Sequence, residues 1–386
     1  MEVVSWHPLL TDHQSYTLAA LEQAGNCTLK VYVANMINID RQTQGWINQH
    51  ASSLSPNLIP KKGWVRFAIQ HLREHRDAVH LFGSPFEQTK LIVILFLAIN
   101  LKLRVYLISE PYSPISMGYQ NDKSQLINWL KAKIRPLLYG IYGKLLLRQI
   151  AGVFAISCRA VTQYQGMGIA EGKIFPFGYF VPYQEPACSV SAPIVSSSKT
   201  DLRIVFIGNL IARKGLDLLI NAVRNLNNNG FLFFLDVYGP GDPSQYDFDQ
   251  SVVRYCGLIP FGNSQAMISE YDVLVLPSRY DGWGVVVNEA IMAGVPVICS
   301  NQVGASVVIE KWRCGNIFLS EEVHDLENRL KELLINPKLL NNMKLAAIKT
   351  GPFLEPKVAG SYMFNIINLD STVTGIQAKP ECPWYA

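Results

Sequence analysis

Two acids, Asp281 and Glu289, stand eight residues apart in the stretch SRYDGWGVVVNEAIMAGVPVI, residues 278 to 298. The apolar run before it, residues 272 to 276, predicts a buried strand, and the glycines and tryptophan after Asp281 predict a tight loop before a short helix. The Gly-Val-Pro at 294 to 296 is a typical helix stop. At such a strand-loop-helix joint the free backbone amides bind anions. We therefore expect a phosphate at this joint.

A basic pair precedes another predicted helix in IGNLIARKGLDLLINA, residues 207 to 222. A strand ends there at Gly208, and a helix starts just after Arg213 and Lys214. Two cations beside a helix N-terminus form an anion pocket that suits a diphosphate through charge-assisted contacts. A solvated basic turn explains the same residues equally well. The pair thus indicates phosphate chemistry without settling it.

Both acids have a chemical and a structural interpretation. Glu289, at or near the first turn of its helix, has the chemistry to hold two adjacent ribose hydroxyls, as the acid of dinucleotide-binding folds does. A first-turn acid also gains about 0.3–1 kcal/mol from the helix dipole without any ligand. Asp281 has the parallel structural role of a turn or cap residue. The glycine-rich turn YGPGD, residues 238 to 242, is a weaker signal, because most such turns only reverse the chain.

The composition favours a two-domain enzyme. A chain of 386 residues with 49% hydrophobic content can build two cores. Its net charge of +4 fits anionic ligands or a basic patch facing a membrane better than nucleic acid, since no block of like charges appears. The seven scattered cysteines, with no CxxC pair, indicate reduced thiols in the cytoplasm and no zinc site. The sequence starts directly with a strand-like segment, so we expect no secretion signal.

Strand and helix patterns alternate twice along the chain, on either side of a Pro- and Ser-rich segment. We therefore predict an α/β protein in which two doubly wound domains face each other across a cleft. The apolar run 91 to 101 is too short to span a membrane and is interpreted as a buried crossover helix. The predicted domains are 1–185, a linker at 186–200, 201–351, and a tail at 352–386 whose packing on the first domain the sequence leaves open. The predicted strands are 2–5, 29–33, 78–82, 104–108, 152–156 and 173–175, then 202–207, 231–238, 252–256 and 272–276.

Together these motifs resemble the retaining nucleotide-sugar glycosyltransferases of family 4 (glycosyl transferases group 1), which have the GT-B fold. The resemblance covers residues 202 to 310 and is carried by the order and spacing of six short motifs. The segments AGVFAIS (151 to 157) and KIFPFGYFV (173 to 181) match the family's approach to its linker more loosely. The motifs, in order, are Gly208 with Arg213-Lys214-Gly215, Gly239, GLIP at 257 to 260, YDVLVLPS at 271 to 278, DGWG with Glu289, and GVPV at 294 to 297.

The resemblance implies a role for each motif. Arg213 and Lys214 would neutralise the donor diphosphate, and the amides of Gly284 and Val285 would contact its distal phosphate. Glu289 would hold the ribose, and Asp281 would touch hydroxyls of the transferred sugar. The segment Gly257 to Phe261 would border the base. The remaining residues expected on the donor side are Gly208, Asn209, Gly239, Leu258, Ile259, Gly282 and Trp283.

Two positions depart from the family pattern. The family usually has Glu where Asp281 stands, and the shorter side chain is expected to alter the preferred donor sugar. It often has Arg directly after the glycine that ends the first strand, where this chain has Asn209. Arg213 would then supply the missing cation beside Lys214.

The expected chemistry needs neither a metal nor a cofactor. Departure of a UDP- or GDP-type leaving group places charge on the distal phosphate, where fixed cations and amides lower the barrier. The Asp247-Phe-Asp249 segment is interpreted as a solvated turn. Retention of the anomeric configuration is implied by the resemblance alone.

The sequence carries fewer motifs for the residues that would contact the acceptor. The loop after the first strand, residues 6 to 16, would place Asp12, His13 and Gln14 near the acceptor, with His13 relaying a proton. Asp12 as a helix cap and His13 as a surface residue are equally compatible with the sequence. Glu110, after the strand VYLIS, is a further acceptor-side candidate, with a structural ion pair as the alternative. The family's His-x-His pattern is broken, because Phe82 follows His80, so His80 is interpreted as a strand residue.

The segment 128 to 149 combines five cations with Trp129 and an apolar stripe, Leu137, Ile141 and Leu145. We interpret it as a helix that packs this stripe inward and leaves a solvated basic face outside, and a face that offers positive charge to anionic lipid is the alternative. The expected location is cytoplasmic, with peripheral contact at the inner face of the membrane. The expected activity is sugar transfer to a glycan or lipid-linked acceptor in polysaccharide or glycolipid biosynthesis. A nucleotide-sugar epimerase, a phosphorylase and a catalytically silent nucleotide-sugar-binding subunit are the alternatives.

Overall fold

The computed structural model describes residues 1–36, 54–116, 125–184, 201–260, 262–369 and 380–385. These residues form two compact units. The first contains residues 1–116, 125–180, 355–369 and 380–383, and the second contains 181–184, most of 201–354, and 384–385. The predicted linker, 186–200, lies outside the described residues.

The first unit is built on a parallel sheet of seven strands in the order β3-β2-β1-β4-β5-β6-β7. Successive strands therefore run outward from β1 in both directions, and the topological switch point lies between β1 and β4. The predicted strands of this half are all present, with ends that differ by one or two residues. Their bounds are β1 Glu2–His7, β2 Thr28–Val33, β3 Asn57–Leu58, β4 Val79–Gly83, β5 Arg104–Ser109, β6 Gly152–Ile156 and β7 Ile174–Phe177.

Within the described residues of this unit the helices are α1 Asp12–Gly25, α2 Trp64–Glu74, α3 Thr89–Asn100, α4 Gln125–Leu145, α5 Cys158–Gly166 and, from the far end of the chain, α12 Pro356–Ile367. The apolar run 91 to 101 falls on α3, where Leu91, Ile94 and Leu95 are fully buried in the core. The prediction of a buried crossover helix is thus confirmed. Within the described ranges, no helix combines the length and the apolar character that a membrane span requires.

The outward face of α4 corrects the sequence interpretation. We predicted that Leu137, Ile141 and Leu145 pack inward, but Leu137 is 68% exposed and Leu145 is 71% exposed. The inward side instead carries Tyr139 and Tyr142, whose rings lie 5.0 and 4.9 Å from that of Phe86. The helix has two apolar faces, one with the leucines and Ile141 and one with Tyr139 and Tyr142. The tyrosine face packs on the core. The stripe that the sequence showed is therefore left on the surface.

Helix α12 packs closely on α1, and two glycines permit the approach. A Cβ on Gly360 would lie 2.6 Å from the Leu21 backbone nitrogen, and one on Gly25 would lie 2.5 Å from the Phe364 ring. Both distances are shorter than real carbon contacts allow. Residues 356 to 367 therefore belong to the first unit although they follow the second unit in the sequence.

Substitution of glycine by alanine is predicted to have opposite effects on stability at Gly360, which takes part in this close approach, and at Gly140, which does not. Gly140→Ala on α4, where no atom lies within 4 Å of the added methyl, is expected to raise the free energy of unfolding by about 0.5–1 kcal/mol through helix propensity. Gly360→Ala is expected to lower it by about 1–3 kcal/mol, because the methyl meets backbone that cannot move away. Thermal unfolding of both variants tests this. Equal gains in stability would contradict the packing of α12 on α1.

The second unit repeats the plan with six parallel strands in the order β10-β9-β8-β11-β12-β13. The strands are β8 Asp201–Ile207, β9 Leu232–Tyr238, β10 Val253–Tyr255, β11 Val273–Leu276, β12 Val297–Ser300 and β13 Gly315–Phe318. The helices are α6 Leu216–Asn228, α7 Ser264–Ile268, α8 Val285–Met292, α9 Ser306–Trp312, α10 Val323–Ile335 and α11 Pro337–Thr350. Both units are therefore doubly wound, Rossmann-like domains, as the sequence predicted.

Candidate functional site

The switch point of the second sheet brings the two motif loops of the sequence side by side. Strands β8 and β11 are neighbours, so the loops at their carboxyl ends, 208–215 and 277–284, meet at one edge. Several hydrogen bonds join these loops, and two of them involve Arg213. The Arg279 amide donates to the Arg213 carbonyl at 2.8 Å, and Arg213 Nη1 donates to the Tyr280 carbonyl at 2.8 Å. The basic pair and Asp281 are thereby held together.

Glycines allow the backbone to approach this closely at two points. Gly215 adopts φ +69° as the N-cap of α6, and a Cβ there would collide with the Pro277 carbonyl. Gly239 adopts φ +142°, and a Cβ would collide with the Gly208 carbonyl. The turn at 238–242, a weak signal in the sequence, therefore has a defined place beside the end of β8.

Lys214 and Asp281 form the central contact of the site. Lys214 Nζ donates to Asp281 Oδ2 at 2.5 Å, and both side chains are largely buried. Burial by itself raises the pKa of Asp281, but the charges of Lys214 and Arg213, and hydrogen bonds from Lys214 and the Trp283 backbone, outweigh it and lower the pKa below its usual value. Asp281 is therefore an ionised, buried carboxylate beside a cation. It also has the turn role that the sequence suggested, since it accepts the Trp283 amide.

Helix α8 presents its N-terminus at the same edge. Gly284, at φ +88°, is the N-cap, and no side chain in the described part of the protein caps this end. The first amides of the helix, from Val285 onward, therefore carry the partial positive charge of an uncapped terminus. Together with Arg213 and Lys214 they form a positive edge that suits a diphosphate.

Glu289 lies just beyond the first turn of α8, near the position that the sequence indicated. The helix starts at Val285, so Glu289 is its fifth residue and a first-turn dipole role is wrong. Its Oε1 accepts the Ser264 hydroxyl at 2.9 Å. Burial raises the pKa of Glu289 to about 7, with the Ser264 hydrogen bond acting in the opposite direction. A part-buried carboxyl with this pKa is a strong hydrogen-bond acceptor for hydroxyls whenever it is ionised.

The raised pKa gives a prediction for stability. Because the folded-state pKa of Glu289 lies above its value of 4.5 in an unfolded chain, ionisation costs folding free energy that grows as pH rises from about 4.5 past 7. Glu289→Gln keeps the Ser264 acceptor and removes the charge. We expect it to raise the free energy of unfolding by about 2 kcal/mol at pH 8, with no gain at pH 4. Denaturant titrations at the two pH values, with Glu332→Gln on the surface of α10 as control, measure this difference. A gain at pH 4 equal to that at pH 8 would contradict it.

The other residues expected on the donor side divide into backbone and side-chain positions. Trp283 is almost fully buried and its Nε1 donates to Asn288 Oδ1 at 3.0 Å, so its side chain fixes the loop to α8. Gly282 is also buried. Leu258 is exposed, Gly208, Asn209 and Ile259 are part-exposed, and Phe261 lies outside the described residues.

The acceptor-side candidates of the first unit gather around Tyr179. The ring of His13 lies 4.1 Å from that of Tyr179, centroid to centroid. The buried Tyr179 hydroxyl is hydrogen-bonded to Glu110 and Gln14, and its pKa is well above its usual value because of burial first and then the charges of Glu110 and Glu87. His13, Gln14 and Glu110 are therefore brought together, at the carboxyl edge of the sheet.

The start of α1 explains the local geometry. Thr11 is the N-cap, not Asp12, and Gln14 Oε1 accepts the Thr11 amide at 3.1 Å. The Thr11 hydroxyl and His13 Nε2 share a hydrogen bond of 2.9 Å. Asp12 is the first residue of the helix and is part-exposed. Gln14 thus has a structural role, and His13 is oriented by the cap.

Residues 192–350 match a family model described as Glycosyl transferases group 1. The second unit carries a glycosyltransferase domain. A candidate colanic acid biosynthesis glycosyltransferase, WcaL of Escherichia coli, is 28% identical over 150 residues, 35% of this chain and 37% of that protein. An uncharacterized 41.2 kDa protein in the cps region of Klebsiella pneumoniae is 28% identical over 127 residues, 33% of this chain and 35% of that protein. The chain thus matches only a little over a third of the length of these relatives.

A likeness to solved structures extends over both units. The crystal structure of HepE from Anabaena in complex with UDP aligns with a TM-score of 0.67 at 12% sequence identity, covering 95% of this chain and 99% of that chain. At this identity the likeness shows the fold, which is that of GT-B glycosyltransferases. The predicted fold class is thereby confirmed.

Several side chains that position the glycosyltransferase domain's loops were missed from the sequence. Arg279 donates to both carboxylate oxygens of Asp217 at 2.8 and 2.7 Å and to the Ala212 carbonyl at 2.6 Å, so it fastens the two loops. The hydrogen bond from Ser264 to Glu289 and the one from Trp283 to Asn288 were also missed. These contacts join residues that are far apart or unremarkable in the sequence. Arg279 alone had a local signal, because it follows the end of a buried strand.

Two further sequence interpretations concern acids and a histidine outside the site. Asp249 Oδ1 accepts three successive amides, from Ser251 to Val253, and Asp247 pairs with Arg224, so the Asp-x-Asp segment builds a surface turn. His80 is a fully buried residue of β4, as interpreted from the sequence. Across the described ranges, no three His, Cys, Asp or Glu side chains are grouped so that they could hold a metal ion.

Proposed function

We propose that this protein transfers a sugar from a nucleoside diphosphate donor to a glycan or lipid-linked acceptor, in the synthesis of a polysaccharide or glycolipid. One observation carries the proposal: the basic pair before α6 and the uncapped N-terminus of α8 meet at the switch point of a glycosyltransferase domain. The relatives named for colanic acid biosynthesis and for a cps region support the product class. The UDP in the HepE structure supports a nucleotide donor.

The donor diphosphate is proposed to lie along the positive edge. Arg213, Lys214 and the first amides of α8 would stabilise the charge that develops on the distal phosphate as the sugar leaves. This arrangement supplies leaving-group stabilisation from the protein's own groups, and we propose a metal-independent reaction with a UDP- or GDP-linked donor. Retention of the anomeric configuration, as in family 4, is part of the same proposal. It rests on the motif resemblance.

Glu289 and Asp281 would divide the hydroxyls of the donor between them. Ionised Glu289 would accept two hydrogen bonds from the ribose, which predicts tighter donor binding as pH rises through about 7. Asp281 lies beside Lys214, and its carboxylate would accept hydroxyls of the sugar next to the phosphate that Lys214 is proposed to bind. A bound diphosphate would share Lys214 with Asp281.

The cluster around Tyr179 is the proposed acceptor side. His13 is proposed to accept the acceptor proton, since an imidazole titrates near neutral pH. Glu110 holds the Tyr179 hydroxyl, and the Tyr179 ring contacts the His13 ring. These groups form a polar surface that would recognise acceptor hydroxyls.

A donor panel tests the proposed function. The protein is incubated with UDP- and GDP-linked sugars, with and without glycan and lipid-linked acceptors, and nucleoside diphosphate release is followed. We expect release from one donor to be stimulated by one acceptor class. A donor that raises the melting temperature but is never consumed would instead identify a binding subunit. Interconversion of free nucleotide sugars would identify an epimerase.

A further inference from the structure

An exposed apolar stripe runs along the whole of α4. Its members recur every three or four residues and so lie on one face of the helix. Each is at least 40% exposed. The stripe consists of Leu126, Leu130, Ile134, Leu137, Ile141 and Leu145. Trp129 and Leu138, both exposed, widen it at its sides. We call this surface the α4 stripe.

The α4 stripe is unusual for a surface in water. Single exposed apolar side chains are common, but a continuous apolar patch of this length marks an interaction site. The helix has 21 residues, which corresponds to about 30 Å. Its opposite side is fixed to the domain by Tyr139 and Tyr142. The stripe is therefore held outward on an anchored helix.

The charge of the helix indicates what covers the stripe. Between Gln125 and Leu145 the sequence has four Lys or Arg residues and no Asp or Glu. Lys133 and Lys144 are exposed beside the stripe, and Arg148 is exposed just beyond it. A surface that is apolar along its centre and purely cationic at its edges complements an anionic lipid leaflet, in which acyl chains lie behind negatively charged head groups. A protein partner or a second copy of this face would have to oppose its uniform positive charge.

We propose that the α4 stripe is a membrane-docking surface on which the protein lies against an anionic bilayer. The apolar side chains enter the interface, Trp129 lies at head-group level, and Lys133 and Lys144 contact lipid phosphates. The helix lies along the membrane. The docking itself does not depend on the proposed sugar transfer.

Docking at this helix also has a consequence for the acceptor, which rests on the proposed function. Tyr139, on the inner side of α4, lies 4.7 Å from the ring of Tyr112 and 5.0 Å from that of Phe86. These two residues are close neighbours in sequence of Glu110 and Glu87, which surround Tyr179. The rings that contact the inner side of α4 thus lie one or two residues along the chain from acids that act on Tyr179. An acceptor carried on a lipid would arrive beside its binding groups.

Vesicle flotation with matched variants tests the docking surface. The full-length protein is mixed with vesicles of phosphatidylcholine alone or of equal parts phosphatidylcholine and phosphatidylglycerol. We expect flotation only with phosphatidylglycerol, and a decrease with added salt. Leu137→Gln/Leu145→Gln and Lys133→Gln/Lys144→Gln are each expected to weaken binding about tenfold or more. The controls Ile335→Gln/Leu345→Gln and Lys338→Gln/Lys349→Gln, at exposed sites on α10 and α11, are expected to bind as the parent does.

Three results would overturn the proposal: no flotation of the parent with phosphatidylglycerol, equal losses in stripe and control variants, or vesicle-free dimers that Leu137→Gln/Leu145→Gln dissociates. Unchanged melting temperatures confirm that the variants are folded. Donor turnover with a water-soluble acceptor should be unaffected by the stripe variants. A failure of docking is thereby distinguished from a failure of the proposed reaction.

Discussion

Replacing both Arg213 and Lys214 with alanine is expected to lower kcat by about 10²- to 10³-fold or more, because removal of one preorganised leaving-group stabiliser typically has an effect of this size. Steady-state release of nucleoside diphosphate measures it. Arg224→Ala/Lys331→Ala, which removes two cations elsewhere on the same domain, is the matched control and should leave kcat within about twofold.

Loss of Lys214 also leaves the buried Asp281 carboxylate without its cation, so a folding defect must be separated from a catalytic one. Lys214→Ala/Asp281→Asn removes both charges of the pair. We expect this variant to recover most of the stability that Lys214→Ala loses, since an unpaired buried charge is the main cost. Turnover should not recover. Turnover within a few-fold of the parent in the Arg213→Ala/Lys214→Ala variant would refute the assignment of the basic pair.

Asp281→Asn is expected to reduce kcat/KM by about 10²-fold, and Asp281→Glu to change the order of preference among donor sugars. Asn keeps the size of the side chain but loses the charge-assisted bonds to Lys214 and to sugar hydroxyls. Glu keeps the charge and moves it outward by one methylene in a site with little spare room. A panel of sugars on one nucleotide, assayed with parent and both variants, measures both effects.

Stability and pH provide a control for the Asp281 variants. The folded-state pKa of Asp281 is below that of an unfolded chain, so its contribution to stability is present at neutral pH and is lost as pH falls below 4. The stability difference between parent and Asp281→Asn should therefore shrink in acid. Unchanged donor preference in Asp281→Glu, together with a kcat/KM of Asp281→Asn close to the parent's, would show that Asp281 does not contact the sugar.

Most strands of both sheets and the two loops that form the positive edge could be predicted from the sequence. Most of the buried parallel strands are apolar runs of four to seven residues, and most end at or just before a glycine, serine or proline that can be recognised without a structure. The joint at 278 to 298 could be predicted because its loop, helix and helix stop are local. The outward order of strands places the carboxyl ends of β8 and β11 together, which explains why two motifs distant in sequence form one site.

Contacts between distant residues could not be predicted in the same way. Lys214 and Asp281 are 67 residues apart, and their pairing depends on the glycine approaches at the ends of the strands. The sequence placed Glu289 only to within the first turn or so of α8, because the helix start depends on the positive φ of Gly284 rather than on a capping side chain. The α4 stripe was assigned to the wrong side, because Tyr139 and Tyr142 give the helix a second apolar face. Tyr179 was overlooked because its importance comes entirely from its neighbours.

Titration of UDP and GDP into the full-length protein tests the central claim most directly, because it requires no knowledge of the sugar or the acceptor. Isothermal calorimetry should show one nucleoside diphosphate binding at a single site, with affinity at least tenfold lower in Arg213→Ala/Lys214→Ala and unchanged in Arg224→Ala/Lys331→Ala. Binding of neither nucleotide, or equal affinity in all three proteins, would contradict a donor site at the edge formed by α6 and α8.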